Sequence, residues 1–260
     1  MSTRTIQKNL VTEFIALTGA PEKVAQRFLK AAAWRSDIAA DNFFANVNSQ
    51  SKSKERENLE NLFQVYHDPQ HEKDTLSVDG VMRYLQDLGV NLETAEIFIP
   101  LEIVQAPGLG EITRIGFING WSAVGSCEQI SKQKTYVFGQ IQQMSTDISL
   151  FKKVYRHAFF ASKESSQKAI PLENAIVYWS LLFNSKGRRW ASESVDWLSL
   201  WIEYLQKNWN RTVNKDMWNQ TFEFYQKSIV DEKLSFWSED GAWPGVIDGF
   251  VSYVKSKKAL

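Results

Sequence analysis

The chain has 260 residues, of which 43% are hydrophobic, and its 30 lysines and arginines balance 30 aspartates and glutamates. Length and composition allow a large buried core, in one domain or in two unequal ones. The neutral balance excludes the basic footprint of a nucleic-acid binder, and a single cysteine excludes a disulfide framework.

The N-terminal residues Met1-Ser2-Thr3-Arg4-Thr5 lead into no long apolar run, so no signal peptide is expected. No stretch approaches the roughly 18 apolar residues of a membrane span. The chain therefore reads as a protein of a reducing compartment, in cytoplasm and nucleus, with no membrane partner.

In chain order, Leu10, Phe14 and Leu17 form a short apolar stripe that Thr18-Gly19-Ala20 breaks. Pro21 opens a second helix carrying Val24, Phe28 and Leu29. After Trp34, the residues Ile38, Ala39, Phe43 and Phe44 predict a third. These helices make a small bundle over residues 1–46. The run 48–55 holds no apolar residue and predicts a linker, drawn at 47–56. A larger domain follows over 57–260.

Leu59, Leu62, Phe63 and Tyr66 repeat at helical spacing until the polar stretch from Asp68 to Asp74 breaks the helix. Val81, Met82, Leu85 and Leu88 restart it, and Ile97 to Val104 is apolar enough to be buried. Beyond the turn Pro107-Gly108-Leu109-Gly110, Phe117, Ile118 and Trp121 begin another helix. Three later stripes follow: Phe151, Val154, Tyr155, Ala158 and Phe159; Ala175, Ile176, Trp179 and Leu182; Val195, Leu198, Trp201 and Leu205. Asn214 predicts an N-cap, with Trp218, Phe222 and Tyr225 behind it. The expected fold class is all-α. It comprises a small three-helix bundle, then a larger domain of EF-hand-like helix-loop-helix units with one or two short β-bridges, then a C-terminal helical subdomain. Most of the 10 tryptophans belong in its core.

Catalytic signals are weak. The loop from Asp68 to Asp79 has the position and acidity of a calcium loop, but its sixth residue is Lys73 where glycine is required, and its twelfth is Asp79 where glutamate is. Cys127 has no histidine in a recognisable arrangement with it, and reads as a half-buried structural residue. His67 and His71 are separated by Pro69, which spoils a helical metal pair. Lys186-Gly187-Arg188-Arg189 reads as a solvated basic turn. No phosphate loop, dinucleotide turn or serine elbow is present. The expectation is a binding protein with no catalytic residue, no metal and no cofactor. A calcium sensor built on the loop pairs is the rival.

The segment Ser238 to Asp248 is the most informative. Pro244 suits a helix start. Trp243, Ile247, Phe250, Val251 and Val254 recur as one apolar face, with Asp248 off that face and the small Ala242 before it. A carboxylate beside a small gap can receive a basic side chain from another protein.

Gly241-Ala242-Trp243-Pro244 with Ile247-Asp248, and Asn214-Lys215-Asp216-Met217-Trp218 before them, resemble the potentiating-neddylation domain of the defective in cullin neddylation family. So do Asp68-Pro69-Gln70, Val78-Asp79-Gly80-Val81 and Ile176-Val177-Tyr178-Trp179. Trp34 and Asp41-Asn42-Phe43-Phe44 resemble that family's ubiquitin-associated domain, and the whole looks like a fungal-type member.

The resemblance implies a scaffold-type ligase for cullin neddylation. Its partners would be the C-terminal winged-helix region of a cullin, the conjugating enzyme with its acetylated N-terminus, the RING subunit of the cullin ligase, and ubiquitin. It places cullin binding on Asp216, Ala242 and Asp248, and the conjugating-enzyme pocket on Val78, Val81, Ile97, Phe98, Ile112 and Leu181. Ubiquitin binding falls on Gly19, Asp41 and Phe43. Pro100 and Glu102 depart from the isoleucine and tryptophan of animal members. The chain is no RING itself, since one cysteine and three histidines cannot supply eight zinc ligands. The runner-up reading is a ubiquitin receptor whose second domain only localises the first.

Overall fold

The computed structural model describes residues 3–164, 166–184 and 187–258. Twelve α-helices are present among them, and the chain divides into two compact units, Met1–Asn58 and Leu59–Leu260. Among the described residues no helix is long and apolar enough to cross a membrane.

The first unit contains α1 (Thr3–Thr18), α2 (Glu22–Ala31) and the beginning of α3 (Ser36–Tyr66). Gly19 ends α1 with φ +67°, a left-handed turn that favours glycine. Val11, Phe14, Ala25, Leu29, Ala39 and Ala40 form the core. Phe43 closes it edge-on to Phe14 and Phe28, at centroid distances of 5.8 and 5.3 Å. One expectation needs correction. Leu17 is 64% exposed and Val11 takes its place in the core, one position out of phase with the predicted stripe. The polar run 48–55, expected as a linker, is helical and lies inside α3. Asn, Ser, Gln, Lys and Glu tolerate a helix interior when their side chains stand in water, so the absence of an apolar face does not end a helix.

The second unit repeats one local design. A helix leads into a loop, a two-residue strand and a capped helix. After α3 come β1 (Thr75–Leu76) and α4 (Val78–Leu88); after α5 (Phe98–Ile103) come β2 (Ile112–Thr113) and α6 (Arg114–Val124). The strands pair antiparallel, Thr75 with Thr113 and Leu76 with Ile112. Ser77 caps α4 by accepting from the Gly80 amide, and Thr113 caps α6 by accepting from the Gly116 amide. In both helices the glycine that donates lies against a carbonyl of the preceding helix segment. A Cβ on Gly80 would stand 2.4 Å from the Tyr66 oxygen, and one on Gly116 would stand 2.4 Å from the Val104 oxygen.

Next in sequence are α7 (Ile130–Gln143) and α8 (Ile148–Ser162), and then the helix, loop and strand order recurs, with Pro171 in place of a capping side chain before the first new helix. β3 (Ala169–Ile170) leads into α9 (Leu172–Leu182); α10 (Trp197–Asn208) leads through β4 (Val213–Asn214) into α11 (Lys215–Ser228). β3 and β4 pair antiparallel, Ile170 with Val213. Asn214 caps α11 by accepting from the Met217 amide at 2.8 Å. The last helix is α12 (Gly245–Lys258).

Aromatic packing holds this half together. Trp179 and Trp218 stack at 5.1 Å, and Tyr155 stacks on Trp218 at 4.7 Å. Their polar atoms are satisfied among themselves. Trp179 Nε1 donates to the Tyr155 hydroxyl at 2.9 Å, which donates to the Trp218 carbonyl at 2.7 Å. A second buried chain runs from Trp121 Nε1 to the Tyr84 hydroxyl, on to Gln133, and from Gln133 Nε2 to the Cys127 carbonyl. Cys127 is buried, deeper than expected.

Candidate functional site

The three residues expected at a cullin-binding surface sit on two helix starts and the loop between their helices. Asp216 is exposed in the first turn of α11, behind the Asn214 cap. Ala242 is exposed in the turn before α12. Asp248 is half-buried in the first turn of α12, and the Pro244 carbonyl accepts from the Ile247 and Asp248 amides. Carboxylates at these positions oppose the positive end of each helix, where unpaired amide groups gather. The apolar face behind Asp248 is buried as expected at Ile247, Phe250, Val251 and Val254, and Val246 joins it. Trp243 is half-buried between Phe224 and Phe236, with the Lys227 ammonium 5.5 Å from its ring. Phe224 lies eight residues beyond Asp216, about 12 Å along α11, so the loop touches the far half of that helix.

Trp237 was not anticipated. Its indole nitrogen donates to Asp248 Oδ1 at 2.9 Å, and the Lys255 ammonium lies 4.4 Å from the same ring. One carboxylate oxygen is thereby fixed. The tryptophan stands eleven residues before the aspartate, across a loop, where no periodicity could join them.

The expected conjugating-enzyme positions separate into two groups. Val81, Phe98 and Ile112 are at most 1% exposed and belong to the core. Val78 is 62% exposed beside Gly110, while Ile97 and Leu181 are half-buried. The apolar side chains within reach of a partner are therefore Val78 and Met82 on α4 and Val177 on α9, with Leu181 beside Val177 on the same helix. Phe98 packs edge-on against Tyr178 at 6.0 Å, which brings α5 and α9 together.

An open cleft of about 780 Å³ lies elsewhere in this unit, between α5, α8 and α11. Glu102, Lys153, Arg156, Phe160 and Lys215 are among its walls. Burial pushes the Glu102 carboxyl up, with Lys153 opposing. His157 also lines it, and its Nε2 lies 3.1 Å from the Ala106 carbonyl. Burial lowers that imidazole to about 4, and the Ala106 bond only partly offsets this, so the ring is neutral at pH 7.

In the first unit, Gly19 and Asp41 are exposed and Phe43 is half-buried in the aromatic cluster. Leu17 and Phe44, next to these positions, are the exposed apolar side chains there.

The acidic loop after α3 is stapled by Arg114. Its guanidinium binds Asp74 Oδ1 at 2.9 Å, Glu60 at 3.2 Å and the Lys73 carbonyl at 2.6 Å. Asp74 therefore faces an organic cation. Among the described residues no three His, Cys, Asp or Glu side chains converge to hold a metal ion. In the basic turn, Lys186 lies outside the described residues. Arg188 is not solvated as expected: it donates to the Tyr225 hydroxyl at 3.0 Å and to the Ser145 carbonyl at 2.8 Å.

Comparison with known proteins matches residues 132–253 to a cullin-binding domain model and residues 8–50 to a UBA-like domain model. The chain is 44% identical to a protein of Pyricularia oryzae named defective in cullin neddylation protein 1, over 97% of this chain and 94% of that one. It is 27% identical to the protein of the same name from Yarrowia lipolytica, over 94% and 95%. It is 29% identical to DCN1-like protein 3 of Drosophila melanogaster, over 80% of this chain and 59% of that one.

Proposed function

The chain belongs to the defective in cullin neddylation family, and from that membership we propose that it is a non-RING adaptor docking a cullin on Asp216, Ala242 and Asp248. Its work is in cullin neddylation. The observation that carries the reading is Asp248, a carboxylate with one oxygen fixed by Trp237 and the other available to a lysine or arginine, inside the segment that matches a cullin-binding domain. Asp216 adds a second exposed acid, and Ala242 leaves room for a long basic side chain. The cullin contact is its C-terminal winged-helix region.

The second partner is the modifier-conjugating enzyme, whose acetylated N-terminus packs on the apolar surface of Val78, Ile97 and Leu181. Acetylation removes the amine charge, so that terminus enters an apolar site without burying an ion. The cullin's RING subunit works beside this pair. The UBA-like unit binds ubiquitin around Gly19, Asp41 and Phe43, with Leu17 and Phe44 as apolar contacts. Rate acceleration then comes from holding two reactants in line, with no reactive atom from this chain.

Calorimetry with a purified cullin C-terminal region tests the docking site. Wild-type chain should bind, and Asp248→Lys should abolish binding while circular dichroism is unchanged. Equal affinity for the variant would remove the site from the reading. A parallel titration compares the acetylated and free forms of the conjugating enzyme's N-terminal peptide, and equal affinity there would remove the pocket.

A further inference from the structure

We propose that the cleft between α5, α8 and α11 binds an acidic peptide segment of a protein partner, one that carries an apolar side chain among its carboxylates. This inference is separate from the cullin-docking reading and needs no cullin for its test.

The cleft wall is asymmetric in charge although the whole chain is neutral. Lys153, Arg156, Lys163 and Lys215 line it, against the single carboxylate of Glu102. Among the described residues none of the four cations forms a salt bridge, whereas the neighbouring Lys152 is paired to Glu223 at 2.9 Å. His157 is neutral and adds no charge at pH 7. Four cations facing one concavity, with only Lys153 acting on the Glu102 carboxylate, repel each other, and an anionic occupant relieves that repulsion.

Spacing selects the occupant. Lys153, Arg156, Phe160 and Lys163 fall at i, i+3, i+7 and i+10, one stripe along α8 and its C-terminal end. Ten residues of helix span about 15 Å, longer than one small anion and equal to about five residues of extended peptide. Lys215 faces this stripe from the first turn of α11. Between the cations lies Phe160, 48% exposed, with the Lys163 ammonium 5.3 Å from its ring. An apolar side chain of the ligand buries that ring and strengthens the surrounding charge pairs by excluding water. Glu102 disfavours a uniformly charged backbone such as a nucleic acid, whereas a peptide can place a neutral residue opposite it.

Fluorescence polarisation with the full chain tests the proposal. The probe is a labelled peptide of about five residues, glutamates around a central phenylalanine, sized to the stripe. We expect saturable binding that weakens about tenfold or more in Lys153→Glu/Arg156→Glu, with both positions exposed and the fold checked by circular dichroism. Phe160→Ser, or serine in place of the probe's phenylalanine, should each cost about threefold or more. Three results would overturn it: no saturable binding by the wild type, unchanged affinity in the charge-reversed variant, or equal affinity for a single-stranded oligonucleotide of the same charge.

Discussion

Trp237 Nε1 donates to Asp248 Oδ1 at 2.9 Å across the loop that opens α12, while the Lys255 ammonium lies 4.4 Å from the same indole. The tryptophan thus sets the direction of a carboxylate that would otherwise rotate freely at a helix start. Trp237→Phe keeps an aromatic ring and removes the donor. It should weaken cullin binding about three- to tenfold, less than the worth of a hydrogen bond to a charged group because the carboxylate itself remains, with little change in thermal stability. Calorimetry reads the affinity. Unchanged affinity would mean that Asp248 orients itself.

His157 gives the second unit a measurable pH dependence. Its folded value of about 4 lies below the ordinary 6.5, so between those values the unfolded chain binds a proton that the folded chain does not. That contribution is whole above pH 6.5 and is lost as pH falls toward 4, by up to about 3 kcal/mol. Glu102, raised by burial in the same cleft, slopes the other way, so comparison with a variant isolates the histidine. His157→Gln retains a donor for the Ala106 carbonyl and should flatten the slope. Urea unfolding followed by tryptophan emission serves, because nine of the 10 tryptophans fall in the second unit. Parallel slopes in wild type and variant would contradict the assignment.

Two glycine substitutions should act in opposite directions. A Cβ on Gly80 would lie 2.4 Å from the Tyr66 carbonyl oxygen, with backbone on both sides of the contact. Gly80→Ala should therefore cost about 2–4 kcal/mol as α4 is pushed away. Gly139, inside α7, has nothing within 4 Å of the added atom. There, alanine should stabilise by about 0.5–1 kcal/mol through helix propensity. Urea midpoints for both variants check the contrast.

Cys127 is a packing residue in this account. Its backbone carbonyl accepts from Gln133 in the buried network with Tyr84 and Trp121, and alanine preserves that group. Cys127→Ala should cost about 1 kcal/mol of stability and leave neddylation per folded molecule unchanged. A stable variant without activity would place a thiol step in the mechanism.

Helix positions were legible in the sequence wherever apolar residues repeat on one face, as at Phe151, Val154, Tyr155 and Ala158, all fully buried. The short strands were foreshadowed by helix-loop-helix spacing, and their register appeared only in the fold. Where periodicity was thin it failed. One stripe was drawn through Leu17 instead of Val11, and the helical conformation of the polar linker 48–55 could not be seen without an apolar face. Asp216, Ala242 and Asp248 are named by the family resemblance, but the Trp237 bond to Asp248 is not, because a loop of unknown path separates them. The cationic cleft was hidden for a related reason. Its α8 stripe shares a helix with a stronger apolar stripe, and Lys215 joins it only through tertiary packing.

We propose that docking through acidic side chains is how this chain speeds cullin neddylation. It is tested most directly by reconstituted transfer of the modifier to a purified cullin, comparing no addition, wild-type chain and Asp216→Lys/Asp248→Lys. Wild type should raise the initial rate, and the folded double variant should return it to the unassisted level. A double variant that accelerates transfer as well as wild type, or a wild-type chain that accelerates nothing, would contradict the account.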